Sequence, residues 1–158
     1  MAFPKVGNMA PAFSLLDQDG DKVSLKDFRG ESTVVLYFYP KAMTPGCTLQ
    51  ACGIRDSKAA LKKAGTVVLG VSPDPVARLG RFIDKQDLNF TLLSDEDHAL
   101  TEKYGCWGLK KFMGREFMGV LRTTFIIGKD GRLKHVMDKV KTKSHHADVL
   151  ALVKKLDL

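Results

Sequence analysis

At 158 residues, with 44% hydrophobic and 27% charged side chains, the chain can bury one sizeable core and has an ordinary globular composition. No apolar run reaches the roughly 18 residues of a helical membrane span, and Met1–Gly7 holds no signal-like apolar stretch, so a single cytoplasmic domain over 1–158 is expected. The net charge of +7 sits after Leu109, where 12 Lys/Arg face 5 Asp/Glu; no RNA-binding signature accompanies it, so it reads as a solvated face, not a nucleic-acid site.

In chain order, Asp17–Asp21 between Phe13–Leu16 and Val23–Leu25 predicts a hairpin turn. Residues 33–39, Thr-Val-Val-Leu-Tyr-Phe-Tyr, predict the first buried strand. Residues 47–63 predict one helix, with Cys47, Ala51, Ile54 and Leu61 on its apolar face, and Thr66–Val71 predicts a second buried strand. Asp74-Pro75 reads as an N-cap followed by the first helical residue of a helix carrying Val76, Leu79, Phe82 and Ile83. A short strand near Phe90–Leu93 precedes another helix start at Ser94–Asp97. Thr123–Ile127 and Leu133–Val140 flank Lys129-Asp130-Gly131 as a hairpin, and Ser144 opens a final helix through Val149, Leu152, Val153 and Leu156.

This order predicts an α/β three-layer sandwich with a mixed central sheet and an N-terminal hairpin, compatible with a thioredoxin-like fold. Ligands of such sheets bind beyond the carboxyl ends of the strands, which is where residues 40–47 lie.

The window Pro40–Cys52 carries the chemistry. It leaves the first buried strand, turns through Pro45-Gly46 and sets Cys47 where a helix begins. Unpaired backbone N–H groups and the helix dipole favour a thiolate there. Ionisation alone is insufficient, since an ordinary thiol is already about 3% ionised at pH 7 and full ionisation gains only about thirtyfold. The larger share of any peroxide chemistry must come from aligning the O–O bond and stabilising the departing oxygen. Thr44 offers a hydroxyl one turn before Cys47, Pro40 can shield the pocket, and Arg122 reaches it if Thr123–Ile127 neighbours residues 33–39.

An odd count of three cysteines in a chain expected to be cytoplasmic favours redox use over a structural disulfide framework. On an ideal helix, residues five apart have Cα atoms about 8.7 Å from each other, and a disulfide tolerates at most about 6.8 Å. Cys47 and Cys52 therefore cannot bond while the helix is intact. A cycle follows in which Cys47 attacks peroxide in the folded turn, and the helix start then unwinds so that Cys52 can condense with the sulfenic acid. Cys106, between Gly105 and Trp107, reads as a small buried hydrophobe and is the rival resolving residue.

Pro40-xxx-Thr44-xx-Cys47 resembles the active-site motif of peroxiredoxins, and Thr44-Pro45-Gly46-Cys47-Thr48-Leu49-Gln50-Ala51-Cys52 resembles the bacterioferritin comigratory protein, or peroxiredoxin Q, subfamily. The similarity extends through Ala10–Phe13, Phe90–Asp95, Tyr104–Gly108 and Arg122–Ile127. It implies a peroxidatic Cys47, a resolving Cys52, and a peroxide pocket lined by Pro40, Thr44 and Arg122. It further implies hydrogen peroxide and organic hydroperoxides as substrates, thioredoxin or a similar dithiol as reductant, and no cofactor. Many members of the subfamily carry Glu where this chain has Gln50 and Asp where it has Gly128; neither departure removes a catalytic group.

Resolution within one chain needs no partner subunit, so a monomer is expected. A protein thiol–disulfide oxidoreductase shares the fold but normally shows Cys-x-x-Cys, which is absent here. A basic nucleic-acid-binding or chaperone-like module is the other alternative. His145-His146 invite a metal reading, but they fall in the first turn after Ser144 and predict an exposed helix start; Cys-x4-Cys with no second pair argues against zinc.

Overall fold

The computed structural model describes residues 2–156. The N-terminal hairpin, β1 (Ser14–Asp17) and β2 (Lys22–Ser24), passes through a 3-10 turn at Leu25–Phe28 into β3 (Thr33–Phe38). Helices α1 (Pro45–Asp56) and α2 (Lys58–Lys63) lead to β4 (Thr66–Ser72), and α3 (Val76–Gln86) leads to β5 (Thr91–Ser94). Then come α4 (Ala99–Lys103), the hairpin β6 (Trp107–Phe112) and β7 (Arg115–Val120), β8 (Thr123–Ile127), β9 (Leu133–Met137) and α5 (His145–Leu156).

Seven strands form one mixed sheet in the order β2-β1-β5-β4-β3-β8-β9, as anticipated for a thioredoxin-like fold. The β5-β4-β3 centre is parallel, and β8 joins β3 antiparallel with Phe38 opposite Thr123. Each residue of β3 is buried, because helices and loops cover both faces of a parallel centre. Alternation along β3 divides the core in two: Val34, Leu36 and Phe38 face one cluster with Leu100, Tyr104 and Cys106, while Val35, Tyr37 and Tyr39 face another with Cys47, Ile54, Leu79, Phe82 and Val149. Helices α1, α2, α3 and α5 thus cover one face, and α4 lies on the other.

The expected helix over 47–63 is two helices. It starts two residues earlier, with Thr44 in extended conformation at the N-cap and Pro45 at the first helical position, and breaks at Ser57. After the break α2 still packs against β4, with Leu61 buried in the same cluster as Ile54. Asp74 is not an N-cap: Pro75 holds that position and α3 starts at Val76, the Asp74 carboxylate being engaged elsewhere. The helix expected at Ser94 begins at Ala99, although the buried Asp95 carboxylate still accepts from the Leu100 and Thr101 N–H groups at 3.0 and 2.8 Å. The last strand ends at Met137 rather than Val140. No element was anticipated over 109–120, where β6 and β7 pair in a separate two-stranded ribbon. Its signal was Met113-Gly114, whose φ angles of 51° and 78° supply the two-residue turn that suits the twist of a hairpin.

Candidate active site

Beyond the carboxyl end of β3, the chain must reverse between Tyr39 and α1, and buried ionic contacts hold that reversal. The Ala42 N–H donates to Asp74 Oδ2 at 2.7 Å, and Arg78 Nη2 donates to the Ala42 carbonyl at 2.8 Å. Ser72 Oγ donates to the same Asp74 oxygen at 2.7 Å, and Arg78 Nε lies 3.1 Å from Asp74 Oδ1. The end of β4 and the first turn of α3 thereby fix both polar groups of Ala42. Met43 turns the chain at φ 66°, and the Thr44 hydroxyl donates to the Lys41 carbonyl at 2.8 Å. The Thr44 hydroxyl proton is therefore in use, while its lone pairs remain acceptors. Pro40 is half-buried at the strand exit, next to the last ladder bond from the Tyr39 N–H to the Val71 carbonyl.

Cys47 is the third residue of α1 and only 1% exposed. Arg122 arrives from the start of β8, as its pairing with β3 allows, and its Nη2 lies 3.0 Å from Cys47 Sγ. Gly46 leaves the space for that approach: a Cβ there would stand 3.2 Å from Arg122 Nη2 and press on the guanidinium. The second arm of Arg122, Nη1, donates to Gln50 Oε1 at 2.8 Å. One fork thus spans the sulfur and a side chain one turn further along the same helix.

Three further residues of this centre were not anticipated as part of it. Gln50 is 1% exposed, and its Nε2 lies 3.1 Å from His145 Nδ1. His145, expected at an exposed helix start, is fully buried against Tyr37, with Nε2 2.8 Å from Thr124 Oγ1. The correction has a packing cause: α5 lies against α1, so its first turn points inward. Lys110, on β6, is held below the usual lysine range by partial burial and by the nearby Arg122 charge, with Cys47 acting in the opposite sense.

Cys52 also belongs to α1, so the helix is intact between the two cysteines. Its thiol is half-buried and donates to Gln86 Oε1 of α3 at 3.6 Å. Cys106 belongs to the core cluster on the opposite face of the sheet, where burial pushes its thiol up to about 12.

Burial holds His145 at about 4, with Arg122 and His146 disfavouring its proton and Asp148 favouring it. An unfolded chain takes up that proton near pH 6.5, before the folded protein does. The contribution is thus intact above pH 6.5 and is lost as pH falls towards 4, by up to about 3 kcal/mol. Denaturant titrations at pH 7 and pH 4.5 should show this loss in the wild type and a smaller one in His145→Gln. Equal losses in both would exclude His145 as the source.

The AhpC/TSA family model matches residues 6–136. Peroxiredoxin Bcp of Escherichia coli K12 is 56% identical over 150 residues, covering 95% of this chain and 96% of that protein. A Xanthomonas campestris bacterioferritin comigratory protein, solved for insight into its alkyl peroxide reduction activity, superposes with TM-score 0.86 at 33% identity over 92% of each chain. A mutant of the Xylella fastidiosa peroxiredoxin Q superposes with TM-score 0.92 at 27% identity over the whole of both chains. With a thiol at a helix start under an arginine fork, these matches place the chain among the peroxiredoxins of the AhpC/TSA family, in the bacterioferritin comigratory protein or peroxiredoxin Q group, as a thiol-dependent peroxidase.

Proposed function

We propose that Cys47 is the peroxidatic cysteine and Cys52 the resolving one, with Thr44, Arg122 and Pro40 forming the peroxide pocket. The observation that carries this reading is the Arg122 fork, 3.0 Å from a buried sulfur in the first turn of α1. The thiolate attacks one oxygen of a hydroperoxide: the S–O bond forms, the O–O bond breaks, and the departing oxygen leaves as water or alcohol after taking a proton. Arg122 stabilises charge on both the sulfur and the departing oxygen, while the Thr44 lone pairs accept the hydroperoxide O–H.

Cys52 then attacks the sulfenic sulfur, forming the disulfide and releasing water. Both cysteines sit on one helix, so its first turns must open for the Cα atoms to come within about 6.8 Å. Cys106 is poorly placed for this step, across the sheet and with its proton held by burial. Thioredoxin, or a similar dithiol, would restore both thiols by two exchanges. Hydrogen peroxide and organic hydroperoxides are the proposed substrates, the latter in keeping with the alkyl peroxide activity of the Xanthomonas relative. The proposal extends to a single-domain, cytoplasmic monomer; no helix of the described residues is long and apolar enough to cross a membrane.

Tryptic mapping after one equivalent of peroxide tests the pairing. Cys47 and Cys52 share the peptide Ala42–Arg55, whereas Cys106 lies in Tyr104–Lys110. The expected product is Ala42–Arg55 lighter by two hydrogens. A disulfide joining the two peptides would make Cys106 the resolving residue.

A further inference from the structure

The mechanism leaves one buried titratable side chain of this centre unused. We propose that His145 is a positioning residue of the peroxidase reaction: it holds the Gln50 amide so that its carbonyl oxygen meets Arg122, and thereby fixes the guanidinium against Cys47. The inference rests on the assignment of Cys47 as the attacking thiol.

The polarity of the chain of contacts is forced from one end. A guanidinium only donates, so the Gln50 atom 2.8 Å from Arg122 Nη1 must be the carbonyl oxygen. The amide nitrogen then faces His145 Nδ1 at 3.1 Å, and that ring nitrogen must accept. His145 is consequently neutral with its proton on Nε2, from which it donates to Thr124 Oγ1 at 2.8 Å. The Gln50–His145 and His145–Thr124 contacts are buried from water: Gln50 is 1% exposed, and Thr124 and His145 are fully buried. Thr124 of β8 meets His145 of α5, and Arg122, two residues earlier and just before the strand, meets Cys47 and Gln50 of α1, so both side chains reach the same side of the sheet.

A flipped Gln50 amide would set NH2 against guanidinium, two donors face to face inside the protein. His145 backs the unflipped amide: with its proton on Nε2 the Nδ1 lone pair accepts from the amide nitrogen, and a flip would require the ring to change tautomer and the Thr124 hydroxyl to turn from acceptor to donor. A proton on Nδ1 would instead set two donors against each other at the 3.1 Å contact, which reinforces the preference of this buried ring for the neutral form. The other ionisable neighbours are Asp148 and His146 on its own helix, Arg122 just before β8, and the Tyr37 ring of β3 packed against it.

The test is the second-order rate constant for Cys47 oxidation, measured by competition for hydrogen peroxide with a haem peroxidase. His145→Leu is expected to lower it about tenfold with far-UV circular dichroism unchanged. Gln50→Ala should lower it similarly, and the double variant should be no slower than the slower single one, because both act through Arg122. His145→Gln, which can again present an acceptor to Gln50, should recover most of the rate. A His145→Leu rate within twofold of wild type, or losses that multiply in the double variant, would overturn the proposal.

Nitrogen-15 NMR of the wild-type imidazole at pH 7 needs no variant to fold. The Nε2–H tautomer is expected, and the Nδ1–H tautomer or the imidazolium would refute the relay. Failure of the Cys47 assignment is distinguishable, since it appears as turnover surviving in Cys47→Ser whatever the His145 variants do.

Discussion

Cys47→Ser is expected to abolish hydroperoxide turnover, by at least about a thousandfold, while leaving the fold intact. The sulfur is 1% exposed and touches Arg122, so a near-isosteric hydroxyl fits without a cavity. What it lacks is the chemistry: an alcohol is not ionised near neutral pH, and its oxygen cannot take up the peroxide oxygen as sulfur does. The other thiols offer no substitute. At about 12, the Cys106 thiol is ionised only to about one part in 10⁵ at pH 7, and it lies on the far face of the sheet. Cys52 is turned towards Gln86, away from the Arg122 fork. Peroxide consumption with excess dithiol measures the effect. Turnover above one tenth of wild type would remove Cys47 from the role proposed for it.

The parts of this centre that were legible in the sequence share a property: each follows from local chain geometry or from the buried-strand pattern. Cys47 was readable because Pro45-Gly46 after a buried run sets the next residue at a helix start, and the structure puts it in the first turn. Arg122 was readable once Thr123–Ile127 was taken as a neighbour of residues 33–39, a pairing that the sheet shows. The incompatibility of an intact helix with a Cys47–Cys52 bond needed only the helix rise. Gln50 stands out in the sequence solely as a departure from the subfamily pattern, because its partners come from the residue before β8 and from α5, far along the chain. The burial of His145 is hidden from the sequence for the same reason. A histidine one residue after a helix cap is exposed unless another helix packs over it, and the contact of α5 with α1 is not written in either segment alone. Asp74 was read as a cap from its local pattern, but the carboxylate meets the Ala42 N–H 32 residues earlier, and that longer contact prevails. Local signals located the thiol, and tertiary contacts assembled what surrounds it.

Arg122→Met is expected to slow Cys47 oxidation by about 10²–10³-fold, the cost seen when a single oriented donor is lost from a reacting oxygen. Methionine keeps an unbranched stem of similar reach, so the loss falls mainly on the charge and the two N–H donors. Those donors meet Cys47 Sγ at 3.0 Å and Gln50 Oε1 at 2.8 Å, and both acceptors are buried. A stability cost of about 1–3 kcal/mol should accompany the kinetic one, because the Gln50 carbonyl is left without its donor in the interior. Arg122→Lys separates charge from geometry. An ammonium keeps the positive charge but cannot span sulfur and amide together, so recovery of no more than about tenfold over the methionine variant is expected. A lysine variant as fast as wild type would show that charge alone suffices and that the fork is incidental. If the methionine variant falls within threefold of wild type, Arg122 contributes nothing to the transition state. The peroxide would then have to be activated by other donors at the same helix start, with Lys110, the next cation whose charge senses Cys47, as the first to test.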